Sequence, residues 1–316
     1  MIKIWFFWTP NLAKRVLEDI VNSKQFEISF VVTWTDKPVW RSQTLTPTPV
    51  KEFAVSHSLK VLQPAKIRWN EDFLSEIKNA WADYFVVVAY GKILPNEVLK
   101  APRKMCINVH GSILPLYRWA SPIQSALIDW ETLTWITIMK MSEWMDEWDI
   151  IDIMKINIDK LDTSESLFKK FEEVSGKFLI ETLVALDQWK RWLQPQLDEA
   201  ATYCKKITKE DGLLDFSRTA QNLFYLWRWL TPWPWIYAYF EGKKLIITSC
   251  DFMEDNVDGD IWQVVKWDFW IWIKCWIWML ILKGVKLEWK WNAKISDFVN
   301  WKKNFIWYVF KPNEQK

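Results

Sequence analysis

The chain has 316 residues, of which 50% are hydrophobic and 25% charged, and its formal net charge is +2. This length suits two domains, and the composition matches ordinary globular proteins, which excludes a disordered or fibrous chain. The first residues lack the basic region, long apolar stretch and cleavage site of a signal peptide, so we expect a cytoplasmic location. Residues 201–316 carry 17 Lys and Arg against 13 Asp and Glu, a basic surplus compatible with an RNA partner.

The first half alternates apolar runs with helical patterns, which predicts crossover units and a mainly parallel, Rossmann-like α/β sheet. The predicted strands are Lys3–Phe7, Glu27–Thr33, Lys60–Leu62, Tyr84–Ala89, Met105–Val109, Thr134–Met141 and Ile150–Ile158. Residues that favour a helix start stand at Thr9-Pro10, Asn70 and Ser121-Pro122. A long amphipathic helix is predicted over Ser164–Leu186.

The remainder of the chain has a different pattern. Residues 190–207 are polar and without a clear period, which suits a linker. Beyond them a helix near Thr219–Trp227 precedes short alternating segments, the pattern of a small, OB-like β-barrel. The sequence therefore predicts a first domain over 1–189, a linker over 190–207 and a second domain over 208–316. The apolar run 267–282 is interrupted by Asp268 and Lys274 and is too short for a membrane span, so no membrane partner is expected.

Cysteine and histidine usage argues against a metal or disulfide framework. The cysteines are widely spaced, with no CxxC pair, at Cys106, Cys204, Cys250 and Cys275. Histidine occurs only at His57 and His110, too few for a histidine-rich metal site. The first strand is not followed by G-x-G-x-x-G, so neither a metal nor a dinucleotide cofactor is expected.

Tryptophan is unusually abundant, with 27 Trp beside only 7 Gly. Turns need positive φ angles, which glycine adopts freely and bulky residues do not. Reading tryptophans as glycines restores ordinary turn chemistry, as at Trp8 before Thr9-Pro10. We hypothesise that the gene comes from an organism that reads UGA as glycine and was translated as if UGA meant tryptophan. The alternative is a protein that is naturally rich in tryptophan, with aromatic binding platforms or a membrane-interface patch.

Three segments are placed where an open parallel sheet binds its ligands, beyond the carboxyl ends of strands. They are VVVAYGKILP at 86–95, CINVHGSILPLYRWASPIQ at 106–124 and MSEWMDEWD at 141–149. The chain resembles the methionyl-tRNA formyltransferase family of folate-dependent formyltransferases over Val86–Pro95, Cys106–Gln124 and Thr134–Asp149. The family's N-x-H is Asn108-Val109-His110, its SLLP loop is Ser112–Pro115, and its LDxGD loop is Met145–Asp149. The similarity runs nearly end to end, and tryptophan stands at family glycine positions Trp8, Trp40, Trp119, Trp135, Trp144, Trp148, Trp235, Trp301 and Trp307.

The resemblance implies transfer of a formyl group from 10-formyltetrahydrofolate to the amino group of initiator methionyl-tRNA. Such a transfer passes through a tetrahedral oxyanion, so the site needs a hydrogen-bond donor and a group that handles the proton of the amine. Asn108 can supply the donor. His110 can stabilise the oxyanion or move the proton, and Asp146 can orient His110. No covalent intermediate is needed because the amine itself attacks, so we expect Cys106 only to pack in its strand.

The resemblance also implies binding residues. It places the reduced folate, a co-substrate, against Ser112, Ile113, Leu114 and Pro115 and near Tyr90 and Gly91, although these segments could also be simple tight turns. In the family, a basic loop here at 33–51 contacts the tRNA, which indicates Lys37, Arg41 and Lys51 as phosphate-binding residues. Loops of this kind are also often only solvated. The family resemblance further implies a monomer.

Two other functions remain open at this stage. Another folate-dependent formyltransferase, acting on a nucleotide or an amino sugar, would keep the same Asn, His and Asp. Such relatives usually carry proline after the histidine, where this chain has Gly111, and most lack the barrel-like second domain. A non-catalytic relative that binds tRNA or folate would also keep these residues, and folate binding without formyl transfer would favour it.

Overall fold

The computed structural model describes residues 1–8, 11–39, 44–88, 94–143, 145–255, 260–267 and 269–311. The chain divides into two compact units. The first unit comprises Met1–Ile123, Thr132–Ile158 and Leu167–Lys205. The second comprises Gln124–Glu131, Asp159–Ser166 and Lys206–Lys316.

The elements as far as residue 204 alternate strands and helices, as the sequence predicts. The strands are β1 (Ile2–Trp8), β2 (Phe26–Val32), β3 (Lys37–Val39), β4 (Thr44–Thr46), β5 (Val61–Leu62), β6 (Tyr84–Val88), β7 (Met105–His110), β8 (Arg118–Trp119), β9 (Leu133–Lys140), β10 (Ile150–Asn157) and β11 (Tyr203–Cys204). The helices are α1 (Asn11–Ser23), α2 (Pro49–Ser56), α3 (Glu71–Asn79), α4 (Asn96–Leu99), α5 (Pro122–Ile128) and α6 (Ser164–Asp187).

A mainly parallel sheet forms the centre of the first unit. Its strand order is β10-β9-β7-β6-β1-β2-β5. Strands β5, β2, β1, β6 and β7 are parallel, and β9 is antiparallel to both of its neighbours, β7 and β10. Every residue of β6 is buried, the continuous apolar run expected of a strand covered on both faces. This arrangement confirms the predicted Rossmann-like fold. It also places β7 between β6 and β9, near the middle of the sheet.

Local signals explain where several helices begin. The Asn70 side chain accepts a hydrogen bond from Phe73 N at 3.0 Å, which satisfies an amide of the first turn of α3. Helix α5 begins at Pro122, as predicted, and α6 ends one residue beyond its predicted span. The predicted start at Thr9-Pro10 lies outside the described residues.

Two short strand pairs flank the main sheet and were not predicted. Strands β3 and β4 form an antiparallel hairpin within the basic loop. Strand β11 pairs in parallel with β8, and Ile150 and Gln194 exchange two backbone hydrogen bonds of 2.8 Å. The segment predicted as a linker is thus hydrogen-bonded to the first unit over much of its length.

The second unit contains an antiparallel sheet, which confirms the second part of the predicted fold class. Its further elements are α7 (Ala220–Leu230), β12 (Ile236–Phe240), β13 (Lys243–Met253), β14 (Val264–Trp267), β15 (Trp270–Lys274), β16 (Met279–Leu287), β17 (Ala293–Lys294) and α8 (Ile295–Trp301). The sheet order is β12-β13-β16-β15-β14, with β17 beside β16. Phe216, Phe240 and Phe305 are fully buried in its core. In the described part of the chain, no helix is long and apolar enough to cross a membrane.

Many tryptophans have a backbone conformation that favours glycine. Of fifteen described non-glycine residues with positive φ, nine are Trp69, Trp119, Trp130, Trp189, Trp235, Trp262, Trp278, Trp289 and Trp307. For residues other than glycine this left-handed region costs about 1–2 kcal/mol each. Inside the main sheet, the rings of Trp5 and Phe30 have centroids only 3.4 Å apart, below the 4.5–7 Å typical of aromatic pairs. The buried indole N–H groups of Trp229 and Trp272 have no hydrogen-bond partner among the described residues.

Candidate active site

Strand β7 carries the amide and the imidazole that the sequence indicates. Its residues run without interruption from Met105 to His110, and its neighbours β6 and β9 hold it on both sides. Side chains alternate along a strand, so Asn108 and His110 lie on the same face of the sheet. His110 is 6% exposed and Asn108 is half-buried, which leaves the amide accessible beside a nearly enclosed imidazole.

Two contacts fix the orientation of the His110 ring. Its Nε2 lies 3.0 Å from the carbonyl oxygen of Tyr117, and its Nδ1 lies 3.7 Å from Asp146 Oδ1. Because a carbonyl oxygen only accepts hydrogen bonds, the first contact places a proton on Nε2. Nδ1 is therefore the nitrogen that can accept a proton. A proton accepted there would lie close to the Asp146 carboxylate.

Asp146 lies in the turn between β9 and β10, with its side chain 10% exposed. Its backbone φ is +61°, in the left-handed region that aspartate tolerates better than most residues. The backbone N–H of Trp119 donates a hydrogen bond to Asp146 Oδ2 at 2.9 Å. The structure thus brings His110 and Asp146 together from positions 36 residues apart in the sequence.

The loop Ser112–Pro115 follows His110 directly and is anchored to β9. Thr137 is fully buried; its hydroxyl donates to Ser112 O at 2.5 Å and accepts from Leu114 N at 3.3 Å. The Ser112 hydroxyl donates to Leu116 O at 2.6 Å. These bonds form a tight turn, and the Ser112 hydroxyl is used within it rather than left free for a ligand. Sequence reasoning missed Thr137, because a threonine in a predicted strand carries no signal of this role.

The predicted tRNA-binding lysines occupy different surroundings. Lys37 is exposed on β3, with its Nζ 4.4 Å from the centre of the Trp34 ring. Lys51 Nζ forms an ion pair with Asp36 at 2.6 Å, and Gln63 Nε2 donates to the same carboxylate at 2.8 Å. The hydrogen bonds from Gln63 and Lys51 lower the pKa of Asp36. Arg41, and likewise the predicted folate residues Tyr90 and Gly91, lie outside the described residues.

The thiols are all buried and unsuited to nucleophilic chemistry. Burial raises the pKa of Cys106, whose Sγ lies 3.4 Å from Leu99 O, and burial raises the pKa of Cys275 to about 12. A thiol that stays protonated is a poor nucleophile. Within the described ranges, no group of three or more His, Cys, Asp or Glu side chains is placed to hold a metal ion.

Comparison with known proteins identifies the family. Residues 2–183 match the model of the formyl transferase family, and residues 206–303 match that of the formyl transferase C-terminal domain. These matches cover most of the chain and place it in a family of formyl-group transferases.

Similarity to individual proteins shows which group within the family the chain belongs to. The chain is 39% identical to the methionyl-tRNA formyltransferase of Caldicellulosiruptor saccharolyticus, over 94% of this chain and 96% of that protein. It is 41% identical to the enzyme of that name from Sulfurimonas denitrificans, over 84% and 86%. The chain therefore belongs to the formyl transferase family, and within it to the methionyl-tRNA formyltransferases.

Solved structures share the fold at lower sequence identity. The methionyl-tRNA formyltransferase from Clostridium thermocellum matches with a TM-score of 0.58 and 15% identity, covering 82% of this chain and 97% of that one. The sugar 3N-formyl transferase WlaRD, crystallised with dTDP and 5-N-formyl-THF, matches with a TM-score of 0.67 and 17% identity, over 92% and 99%. At such identities the likeness establishes the fold alone.

Proposed function

We propose that this chain transfers the formyl group of 10-formyltetrahydrofolate to the amino group of methionine on initiator tRNA, using Asn108, His110 and Asp146. The observation that carries the proposal is the His110–Asp146 pair at 3.7 Å, with Asn108 on the same face of β7. The 39% identity to a named methionyl-tRNA formyltransferase supports the choice of acceptor.

Each residue has one role in this reaction. The amine nitrogen forms a bond to the formyl carbon, and the Asn108 amide donates a hydrogen bond to the oxyanion that develops. His110 Nδ1 accepts the proton that the amine loses, and Asp146 stabilises the resulting imidazolium. The bond from the formyl carbon to the folate nitrogen then breaks, and the proton passes from His110 to that leaving nitrogen. Electrons and protons balance without a cofactor.

The reduced folate supplies the activated formyl carbon, and the loop Ser112–Pro115 is the proposed place for it. Two observations support this choice. The loop begins two residues after His110, and Thr137 holds it rigidly by two hydrogen bonds. Because the Ser112 hydroxyl is engaged with Leu116 O and Leu114 is only 3% exposed, we assign contact with the folate to the half-buried side chains of Ile113 and Pro115. Tyr90 and Gly91 remain proposed contacts.

The test of the function is a formylation assay with methionyl initiator tRNA and 10-formyltetrahydrofolate, run beside a nucleotide amine and a nucleotide-linked amino sugar as acceptors. We expect transfer to the tRNA and none of comparable kcat/KM to the other amines. Transfer only to another amine would make the chain a different formyltransferase. Folate binding, measured by calorimetry, without transfer to any acceptor would make it a non-catalytic relative.

We also propose the domain limits 1–189, 190–207 and 208–316, with an OB-like, tRNA-binding second domain. Supporting this division, one family model ends at residue 183, before the proposed linker, and the other begins at residue 206, close to the linker's end. A monomer is proposed from the family resemblance, and sedimentation velocity at several protein concentrations tests it.

The proposed tRNA contacts by Lys37, Arg41 and Lys51 predict a salt effect. Replacing Lys37 by Ala should lower the slope of log Kd for tRNA against log salt concentration by roughly 0.7–0.9, the value for one lost phosphate contact. Lys51→Ala should lower it less, because Asp36 already neutralises that ammonium at 2.6 Å. Lys60→Ala, a control just before the amino end of β5 where Lys60 pairs with Glu76, should not change the slope. Equal slopes for Lys37→Ala and Lys60→Ala would remove Lys37 from the interface.

We further propose that many of the tryptophans are glycines in the organism's own protein, through UGA read as glycine. The nine left-handed tryptophans support this proposal, as do the overlapping rings of Trp5 and Phe30. Three left-handed positions, Trp119, Trp235 and Trp307, are also family glycine positions. Mass spectrometry of peptides from the source organism distinguishes the two residues at each site. Tryptophan at all nine left-handed positions would end the proposal.

A further inference from the structure

Gln196 joins two parts of the active site from a distant stretch of sequence. Its Nε2 donates hydrogen bonds to the carbonyl oxygens of Asp146, at 2.9 Å, and of Trp148, at 2.6 Å. Its Oε1 accepts from Arg118 Nη2 at 2.8 Å and from Arg118 Nε at 3.3 Å. A single amide therefore uses both its donors and its acceptor to connect the Asp146 turn to Arg118.

Arg118 is the fixed end of this connection. It is 1% exposed, and its Nη2 also pairs with Asp198 at 2.6 Å. Burial opposes its charge, but the hydrogen bonds to Asp198 and Tyr203 outweigh burial and raise its pKa. The residues on either side supply site contacts through their backbone: Tyr117 O to His110 Nε2, and Trp119 N to Asp146 Oδ2. Holding Arg118 in place therefore holds the partners of both catalytic side chains.

The Asp146 turn needs support of this kind. Asp146 has a φ of +61°, a conformation that non-glycine residues keep only when their surroundings enforce it. The two bonds from Gln196 fix the carbonyl of Asp146 itself and the carbonyl two residues further on. They therefore act on the backbone angles that direct the Asp146 carboxylate toward His110.

We infer that Gln196 is a positioning residue for formyl transfer: it holds the Asp146 turn in the conformation that places the carboxylate beside His110. The inference rests on the proposed roles of His110 and Asp146, and it assigns a function to a segment that the sequence predicted as a linker. Gln196 acts through Asp146 rather than on the reacting atoms, so its loss should affect turnover rather than substrate affinity.

The variant Gln196→Glu keeps the acceptor oxygen that contacts Arg118 and removes the donor that contacts the carbonyls of Asp146 and Trp148. The carboxylate still accepts from Arg118, so the thermal unfolding midpoint should stay close to that of the parent. It cannot donate to the carbonyls of Asp146 and Trp148, so kcat should fall at least tenfold, with both KM values within twofold. Gln194→Ala is the matched control, because Gln194 is exposed on the same segment and its pairing with Ile150 uses only backbone atoms. Its kcat should remain within twofold of the parent.

A double-mutant cycle tests whether Gln196 works through Asp146. All variants are made in the same full-length chain. In an Asp146→Asn background, adding Gln196→Glu should lower kcat by less than twofold. Parental kcat for Gln196→Glu, or the full tenfold loss in both backgrounds, would overturn the inference. If His110→Ala instead retains parental activity, the proposed catalytic roles fail and the positioning role falls with them.

Discussion

Replacing His110 by alanine should lower kcat for formyl transfer by about 10²–10⁴-fold, the contribution typical of a positioned general acid–base. The effect should fall on kcat rather than on KM for either substrate, because the imidazole handles a proton only as the new bond forms. Steady-state kinetics, with each substrate varied in turn at a saturating concentration of the other, measures kcat and both KM values. The protein should stay folded, because the polar contacts that the ring loses are one hydrogen bond to Tyr117 O and the 3.7 Å approach of Nδ1 to Asp146.

Asn108→Ala provides the companion measurement. Loss of one oxyanion donor costs about 10²–10³-fold in kcat. Because both residues act on the same transition state, the double variant should lose much less than the product of the two single effects. His57→Ala is the control: His57 is exposed at the end of α2 and contacts Phe53 O, so its activity should be that of the parent. Parental kcat in His110→Ala would exclude the mechanism proposed for this site.

Sequence reasoning finds the parts of this site that are contiguous along one strand or one loop. Asn108 and His110 belong to a single strand, so their spacing alone places them on one face. Asp146 follows from its loop motif. The parallel sheet can also be predicted from the sequence, because a buried parallel strand such as β6 is a continuous apolar run.

The residues that hold the site in place could not be predicted from local sequence patterns. Gln196 and Arg118 are 78 residues apart, and their pairing depends on β11 lying beside β8, a contact of two residues on each strand. The polar composition of segment 190–207 predicts a solvated linker. The hydrogen bonds that hold this segment in place form only in the folded chain and leave no local sequence pattern. The hairpin β3–β4 was missed for a related reason: its strands are three residues long and mostly exposed.

Replacing four exposed left-handed tryptophans by glycine should raise the free energy of unfolding. The sites are Trp69, Trp189, Trp289 and Trp307, with φ between +58° and +69° and exposures from 62% to 92%. Relief of the left-handed conformation gains about 1–2 kcal/mol per site, and glycine's greater unfolded-state entropy costs about 0.5–1 kcal/mol. The net gain is about 0–1.5 kcal/mol per site with a centre near 0.75, or about 3 kcal/mol for the four if they add. Chemical denaturation of the two proteins measures it.

The control separates backbone conformation from the removal of a large exposed ring. Trp192 and Trp291 are 74% and 92% exposed, and neither has a positive φ. Glycine at these two sites relieves no strain, so it should lower stability by about 0.5–1 kcal/mol each. Trp69→Ala should also fall short of Trp69→Gly, because alanine keeps a Cβ in the left-handed region. Gains of equal size at Trp192 and Trp69 would mean that the backbone at Trp69 does not require glycine. Backbone strain would then not favour glycine at such exposed positions, and the crowded contact of Trp5 with Phe30 in the interior would be the remaining energetic reason to expect recoded glycines.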